Sequence, residues 1–191
     1  MPDSNITKLA LAKALKKLTH IKSFEKISIS DITKECGLNR QTFYYHFEDK
    51  YELLEWVYYE EGFRELTQGI SLENWDQKLL VLLNKMQKEQ VFYRNTICKN
   101  EEYFQKYLLK ITQNLFLEAI LKLDEKKSLK EQERWFYSRY FAFGMCGIII
   151  EWVHTNMKES PEKITAQLKK LVVLSEKLAY ERYAEERGVT E

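Results

Sequence analysis

Seven side chains in one short window have the types needed to read a nucleic acid: Arg40, Gln41, Thr42, Tyr44, Tyr45, His46 and Lys50. Arginine and glutamine carry forked donors and acceptors that match base edges, guanine for the first and adenine for the second. The threonine methyl can touch the methyl of thymine. The tyrosines, histidine and lysine are of the types that hold phosphate oxygens and fix register. At the start of a helix, Lys50 would add its charge to the positive helix end and favour a phosphate there.

These side chains need elements that aim them, and the run from Ser28 to Leu54 supplies the signals. Ser28 with Asp31 makes a capping box, and Ile27 with Ile32 a hydrophobic staple. Cys36 ends that helix, and Gly37 offers the left-handed backbone of a tight exit. Asn39 then caps a second helix, stapled by Leu38 and Phe43. Asp49 and Glu52 cap a third. Two short helices joined by such a turn meet at a steep angle, and the second projects into the major groove in helix-turn-helix proteins. Phe43 and Phe47, four residues apart, would face inward. The caps Ser28 and Asn39 join the seven as candidate DNA-binding residues. Without these aromatic and basic side chains, a glycine between two amphipathic helices would be ordinary helical packing.

The stretch resembles the DNA-binding domain of the TetR family of bacterial regulators. The resemblance rests on Phe24, Ile27-Ser28-Ile29, Asp31-Ile32, Gly37-Leu38, Thr42-Phe43-Tyr44, Tyr45-His46-Phe47, and Lys50 with Leu53-Leu54. It implies an all-α fold: an N-terminal three-helix DNA-binding domain over 1–49 and a helical regulatory and dimerisation domain over 50–191. Arg40 and Gln41 replace residues that are often small in the family, which implies an operator particular to this chain. The run Gly144–Trp152, with Met157 and Ser160-Pro161-Glu162, also resembles a TetR subgroup that includes regulators of dihydroxyacetone kinase operons.

Composition agrees with a helical protein. The 191 residues hold 45% hydrophobic side chains but only six glycines and two prolines. Net charge is +1, yet residues 1–50 carry nine basic and six acidic side chains, +3, which leaves −2 for the remainder. A mildly basic head on a mildly acidic body fits a DNA reader. Cys36, Cys98 and Cys146 form no CxxC pair and no even framework, so a reducing cytoplasm is expected. His20, His46 and His154 are scattered, so neither metal nor cofactor is expected. No apolar run approaches a membrane span. No nucleophile–base pair and no phosphate-binding glycine loop supports an enzyme.

A first helix from about Ser4 buries Leu11, Ala14, Leu15 and Leu18. A fourth, from Lys50 to about Leu66, is the expected lever between head and body, weakened at Gly62 and ended at Gly69. Ser71 would cap the next helix, a short connector would hold Phe92 and Tyr93, and Asn100 would open a longer helix. A charged turn, Asp124 to Lys127, and a box of Ser128 with Glu131 would precede a helix to about Asn156. Ser160 and Pro161 open the last.

Tyr140 to Trp152 is apolar nearly all round a helix, so more than one neighbour must cover it. Gly144 and Gly147 each cost helix stability by roughly 1 kcal/mol relative to alanine, which a closely approaching helix would offset. The expected two-fold interface is therefore Phe141, Gly144, Met145, Gly147, Ile148 and Trp152, with Leu168, Leu171, Val172 and Leu178 from the last helix. The alternative is that these residues fill the monomer's own core. A ligand pocket is expected among Tyr103, Tyr107, Phe116, Trp135, Tyr140 and Phe143, against the plain alternative that the rings are core.

The function read from these residues is a DNA-binding transcription regulator, a homodimer on a palindromic operator. Most proteins that the motif resembles are repressors released by small molecules, so an effector in the body would shift the DNA-competent population. The alternative is an activator whose body docks a protein co-regulator.

Overall fold

The computed structural model describes residues 2–124 and 128–185, and every regular element among them is helical. The head contains α1 (Pro2–Thr19), a 3₁₀ turn (Phe24–Lys26), α2 (Ile29–Glu35) and α3 (Arg40–His46). The lever α4 (Lys50–Val57) passes through a π-helical turn (Tyr58–Phe63) into α5 (Arg64–Thr67). The body follows as α6 (Trp75–Lys88), α7 (Gln90–Ile97), α8 (Glu101–Leu123), α9 (Glu131–His154) and α10 (Pro161–Glu185).

One apolar core runs from the head into the body. Leu11, Leu15, Phe24, Ile27, Ile32, Phe43, Leu53 and Val57 close the head, and the same cluster continues through Tyr58, Phe63, Leu83, Phe92 and Phe104. In the body α8 packs along α9, and α10 lies against α6, where Lys169 meets Asp76 at 2.6 Å. Lys16 of α1 sits between Glu61 and Glu89, at 2.6 and 2.7 Å, so the head is tied to the lever and to the body at once.

Several boundaries differ from the sequence reading. Phe92 and Tyr93 lie on a helix, α7, rather than in a connector, and both rings are buried. The box expected at Ser128 does not form. Ser128 instead gives its N–H and hydroxyl to Asp124, and α9 begins at Glu131, with the Glu133 carboxylate accepting from the Lys130 N–H at 2.7 Å. Ser71 opens a turn rather than α6 itself, which starts at Trp75. Gly62 falls in the π-helical turn, where an added Cβ would stand 3.2 Å from Leu82 Cδ1. It therefore permits close packing of the lever on α6. Residues 125–127 of the charged turn and the Leu178 side chain lie outside the described residues.

Candidate nucleic-acid interface

Local chemistry fixes the head. The Ser28 hydroxyl accepts from the Asp31 N–H at 3.2 Å, and the Asp31 carboxylate accepts from the Ser28 N–H at 2.8 Å, the reciprocal box expected. Lys22 adds an ion pair at 2.7 Å, and with Ser28 holds the Asp31 carboxyl well below the usual carboxylate range. At the other end of α2, Gly37 adopts φ +70°. Its N–H bonds the Lys34 carbonyl at 3.3 Å while the Leu38 N–H bonds Thr33 at 2.8 Å. This is a Schellman close, and it turns the chain sharply into α3.

Asn39 caps α3, its Oδ1 accepting from the Thr42 N–H at 2.7 Å and from the Thr42 hydroxyl at 3.0 Å. Thr42 thereby spends its hydroxyl on the cap. Phe43 is fully buried against Phe47, rings 5.9 Å apart, and anchors the helix. On the opposite face Arg40, Gln41, Tyr44 and Tyr45 stand in solvent, Tyr45 with 83% of its surface free. Arg40 Nη2 lies 3.4 Å from the Tyr44 hydroxyl, one turn along, and His46 is half-buried with its ring edge-on to Tyr45. Ser28 thus caps α2 and Asn39 with Thr42 caps α3, and four large polar or aromatic side chains form the outer surface of α3.

Lys50 departs from the sequence expectation. Its ammonium donates to the carbonyls of Phe24, Glu25 and Ile27 at 2.9, 2.9 and 3.0 Å and lies 4.7 Å from the centre of the Phe24 ring. All three N–H donors are used within the head, so Lys50 holds the turn before α2 rather than standing free for a phosphate. Burial lowers its pKa, against the upward pull of Glu25 and Asp49. Asp49 caps α4 through the Tyr51 and Glu52 N–H groups.

A family model described as "Bacterial regulatory proteins, tetR family" matches residues 11–57, the head and α4. One described as "Transcriptional regulator C-terminal region" matches residues 73–173, the greater part of the body. The HTH-type dhaKLM operon transcriptional activator DhaS of Lactococcus lactis subsp. lactis (strain IL1403) is 35% identical over 184 residues, which are 93% of this chain and 95% of the relative. The solved structure of a dihydroxyacetone kinase operon activator DhaS superposes with a TM-score of 0.67 at 33% identity, covering 91% of this chain and 97% of that one.

The chain belongs to the TetR family. It is a DNA-binding transcription regulator with the helix-turn-helix head and the helical body of that family, and the subgroup expected from the sequence is the one that the relatives carry.

In the body of this TetR protein, part of the expected pocket and part of the expected interface line one groove. Phe116, Tyr140 and Phe143 line an open groove of about 670 Å³ with Phe136, Arg139, Phe141, Gly144, Met145, Ile148, Leu168, Leu171 and Val172. Tyr103 and Tyr107 are elsewhere. Tyr103 stacks on Tyr51 at 5.2 Å, and Tyr107 stacks on Phe63 at 5.6 Å with its hydroxyl 3.3 Å from Glu55. Both join the packing of the lever on α8. Trp135 stands near the start of α9, outside the groove, in an adjoining depression that shares Phe136 and Arg139 with it.

The interface set divides by helical phase. Trp152 is 3% exposed and donates its Nε1–H to the Glu159 carbonyl at 2.9 Å, so it belongs to the monomer's own core. Met145 and Leu168 are buried at the groove floor, and Phe141 stacks on Phe116 at 5.3 Å. Gly144, Gly147, Ile148 and Leu171 face outward, with Val172 half-buried. An added Cβ at either glycine would meet nothing within 4 Å. The expected interface does not include Phe136, which is 67% exposed and lines the same groove. Tyr140, expected in a pocket, lines the groove and is 70% exposed there.

Proposed function

We propose that this regulator binds a two-fold operator as a homodimer, with residues 1–49 reading DNA and residues 50–191 dimerising and receiving the signal. Arg40, Gln41 and the Thr42 methyl read base edges, and Tyr44, Tyr45 and His46 hold phosphates. The second copy covers the outward face of α9 and α10. The observation that carries this reading is that face: Phe136, Tyr140, Gly144, Gly147, Ile148 and Leu171 form an apolar strip with open glycines where another backbone can come close. So large an uncovered apolar surface marks an interaction site. An effector that prefers one body conformation then changes the spacing of the heads. Sedimentation equilibrium of the full chain tests the assembly: a dimer at micromolar concentration supports it and a monomer overturns it.

A different observation bears on the sign of regulation. The relative that matches almost the whole chain is a transcriptional activator. This favours a second reading, activation, with the body docking a protein co-regulator instead of a small molecule. The packing of Tyr103 and Tyr107 supports the same reading, since it removes two rings from the expected ligand site. A thermal-shift screen against metabolites, set beside a pull-down from the source cell, separates the two.

A further inference from the structure

The turn between α1 and α2 is gripped from two sides. Lys50 of the lever holds the carbonyls of Phe24, Glu25 and Ile27 on one side. On the other stands Asn95 of α7, more than seventy residues away in sequence. Its Nδ2 donates to the Thr19 carbonyl at 2.6 Å and to the Lys22 carbonyl at 3.0 Å, and its Oδ1 accepts from the Phe24 N–H at 2.8 Å. Thr19 ends α1, where carbonyls have no partner within the helix. Both donor hydrogens and the acceptor of the carboxamide are used. Turning the amide over would set N–H against N–H and oxygen against two carbonyls, so Asn95 has one orientation.

The next residue on α7 faces the lever. Thr96 accepts the Tyr58 hydroxyl at 2.7 Å, with both residues buried. Glu89, just before α7, pairs with Lys16 of α1. One short body helix therefore touches the head's turn, the head's first helix and the lever.

We infer that Asn95 is the positioning residue through which the body sets the angle of the DNA-reading head. This rests on the proposed dimer, because the angle matters when two heads must meet two half-sites. The turn that Asn95 holds leads into α2. Phe24 and Ile27 of that turn share the buried core with Ile32 and Phe43, so a displacement of α7 carries α2 and α3 with it. All three contacts are to backbone, so Asn95 senses where the chain lies rather than which side chains it bears. The lever has its own path to the same turn through Lys50, and Asn95 makes the body a second determinant of head angle.

The test uses the full chain and an operator that the wild type selects from random duplex DNA. Affinity is measured on that duplex, on duplexes with one base pair inserted or removed between half-sites, and on a duplex with a single half-site. Fixed heads demand one spacing. The wild type should lose about tenfold or more at altered spacing, while Asn95→Ala should lose about three- to tenfold on the native operator yet show a much smaller spacing penalty. Single half-site binding should stay unchanged. Asn95→Asp keeps the acceptor for the Phe24 N–H but turns an anion toward two carbonyls, and should relax spacing likewise. Should Asn95→Ala fail to fold, this second variant decides. Hydrogen exchange at the Phe24 amide should quicken in the first variant and stay slow in the second. A variant that keeps the wild-type spacing penalty, or that loses half-site binding as much as operator binding, overturns the inference while the dimer stands. A wild type indifferent to spacing overturns the dimer reading and the inference with it.

Discussion

Replacing Lys50 separates two roles that its sequence position allows. The methionine variant, Lys50→Met, keeps most of the apolar stem and deletes three hydrogen bonds from a charged donor, to Phe24, Glu25 and Ile27. Such bonds contribute roughly 1.5–3 kcal/mol each when well buried. The ammonium is only half-buried, and the Glu25 contact is exposed, so water can replace part of what is lost. A net destabilisation of about 2–3 kcal/mol is expected once that replacement is counted. For a chain of this length that lowers Tm by about 5–10 °C. A phosphate clamp predicts the reverse pattern: unchanged stability, and a fall of about 0.9 in the slope of log affinity against log salt. The assay is a thermal melt together with a salt titration of binding to several duplexes, below the variant's melting range. A variant that melts like the wild type but loses that slope would refute the assignment of Lys50 to the turn.

On the operator, Arg40→Ala and Gln41→Ala should each cost about 1–3 kcal/mol and relax specificity at the base pair read, as competition binding would measure. Ile148→Asp should shift the protein to monomer or aggregate in sedimentation and weaken operator binding with the head untouched. Gly147→Leu should do the same by blocking the approach of the second backbone. The Asp31 carboxyl, lowered by Lys22 and Ser28, adds stability that is present above the ordinary carboxylate value and lost as pH falls below it. Thermal melts of Asp31→Asn from pH 7 down to about 3 should therefore fall less steeply than those of the wild type, from a lower start.

The head was legible because its signals are local. Ser28–Asp31, Gly37 and Asn39 each act within a few residues, and each cap forms where the spacing puts it. The role of Lys50 is not legible locally, because its partners lie more than twenty residues upstream and are carbonyls, which every residue carries. The role of Asn95 is hidden for the same reason. In α9 the difficulty is phase. A helix apolar all round gives no periodicity to say which side the monomer covers. That side is set by the packing of α8, which buries Cys146 and Ile149 and leaves Tyr140, Gly144 and Ile148 outside. Tyr58, Phe63, Phe92, Tyr93 and Phe104 form an aromatic knot joining lever to body.

The proposed dimer presents one α3 to each of two half-sites on one duplex. Selection of random duplex DNA by the full chain, followed by sequencing of the bound pool and sedimentation of the complex, tests it most directly. An enriched inverted repeat is expected, with half-site centres about one helical turn apart, 34–36 Å, or a whole multiple of that, and an even number of chains on each duplex. An enriched site without two-fold symmetry, bound by one chain, would contradict it.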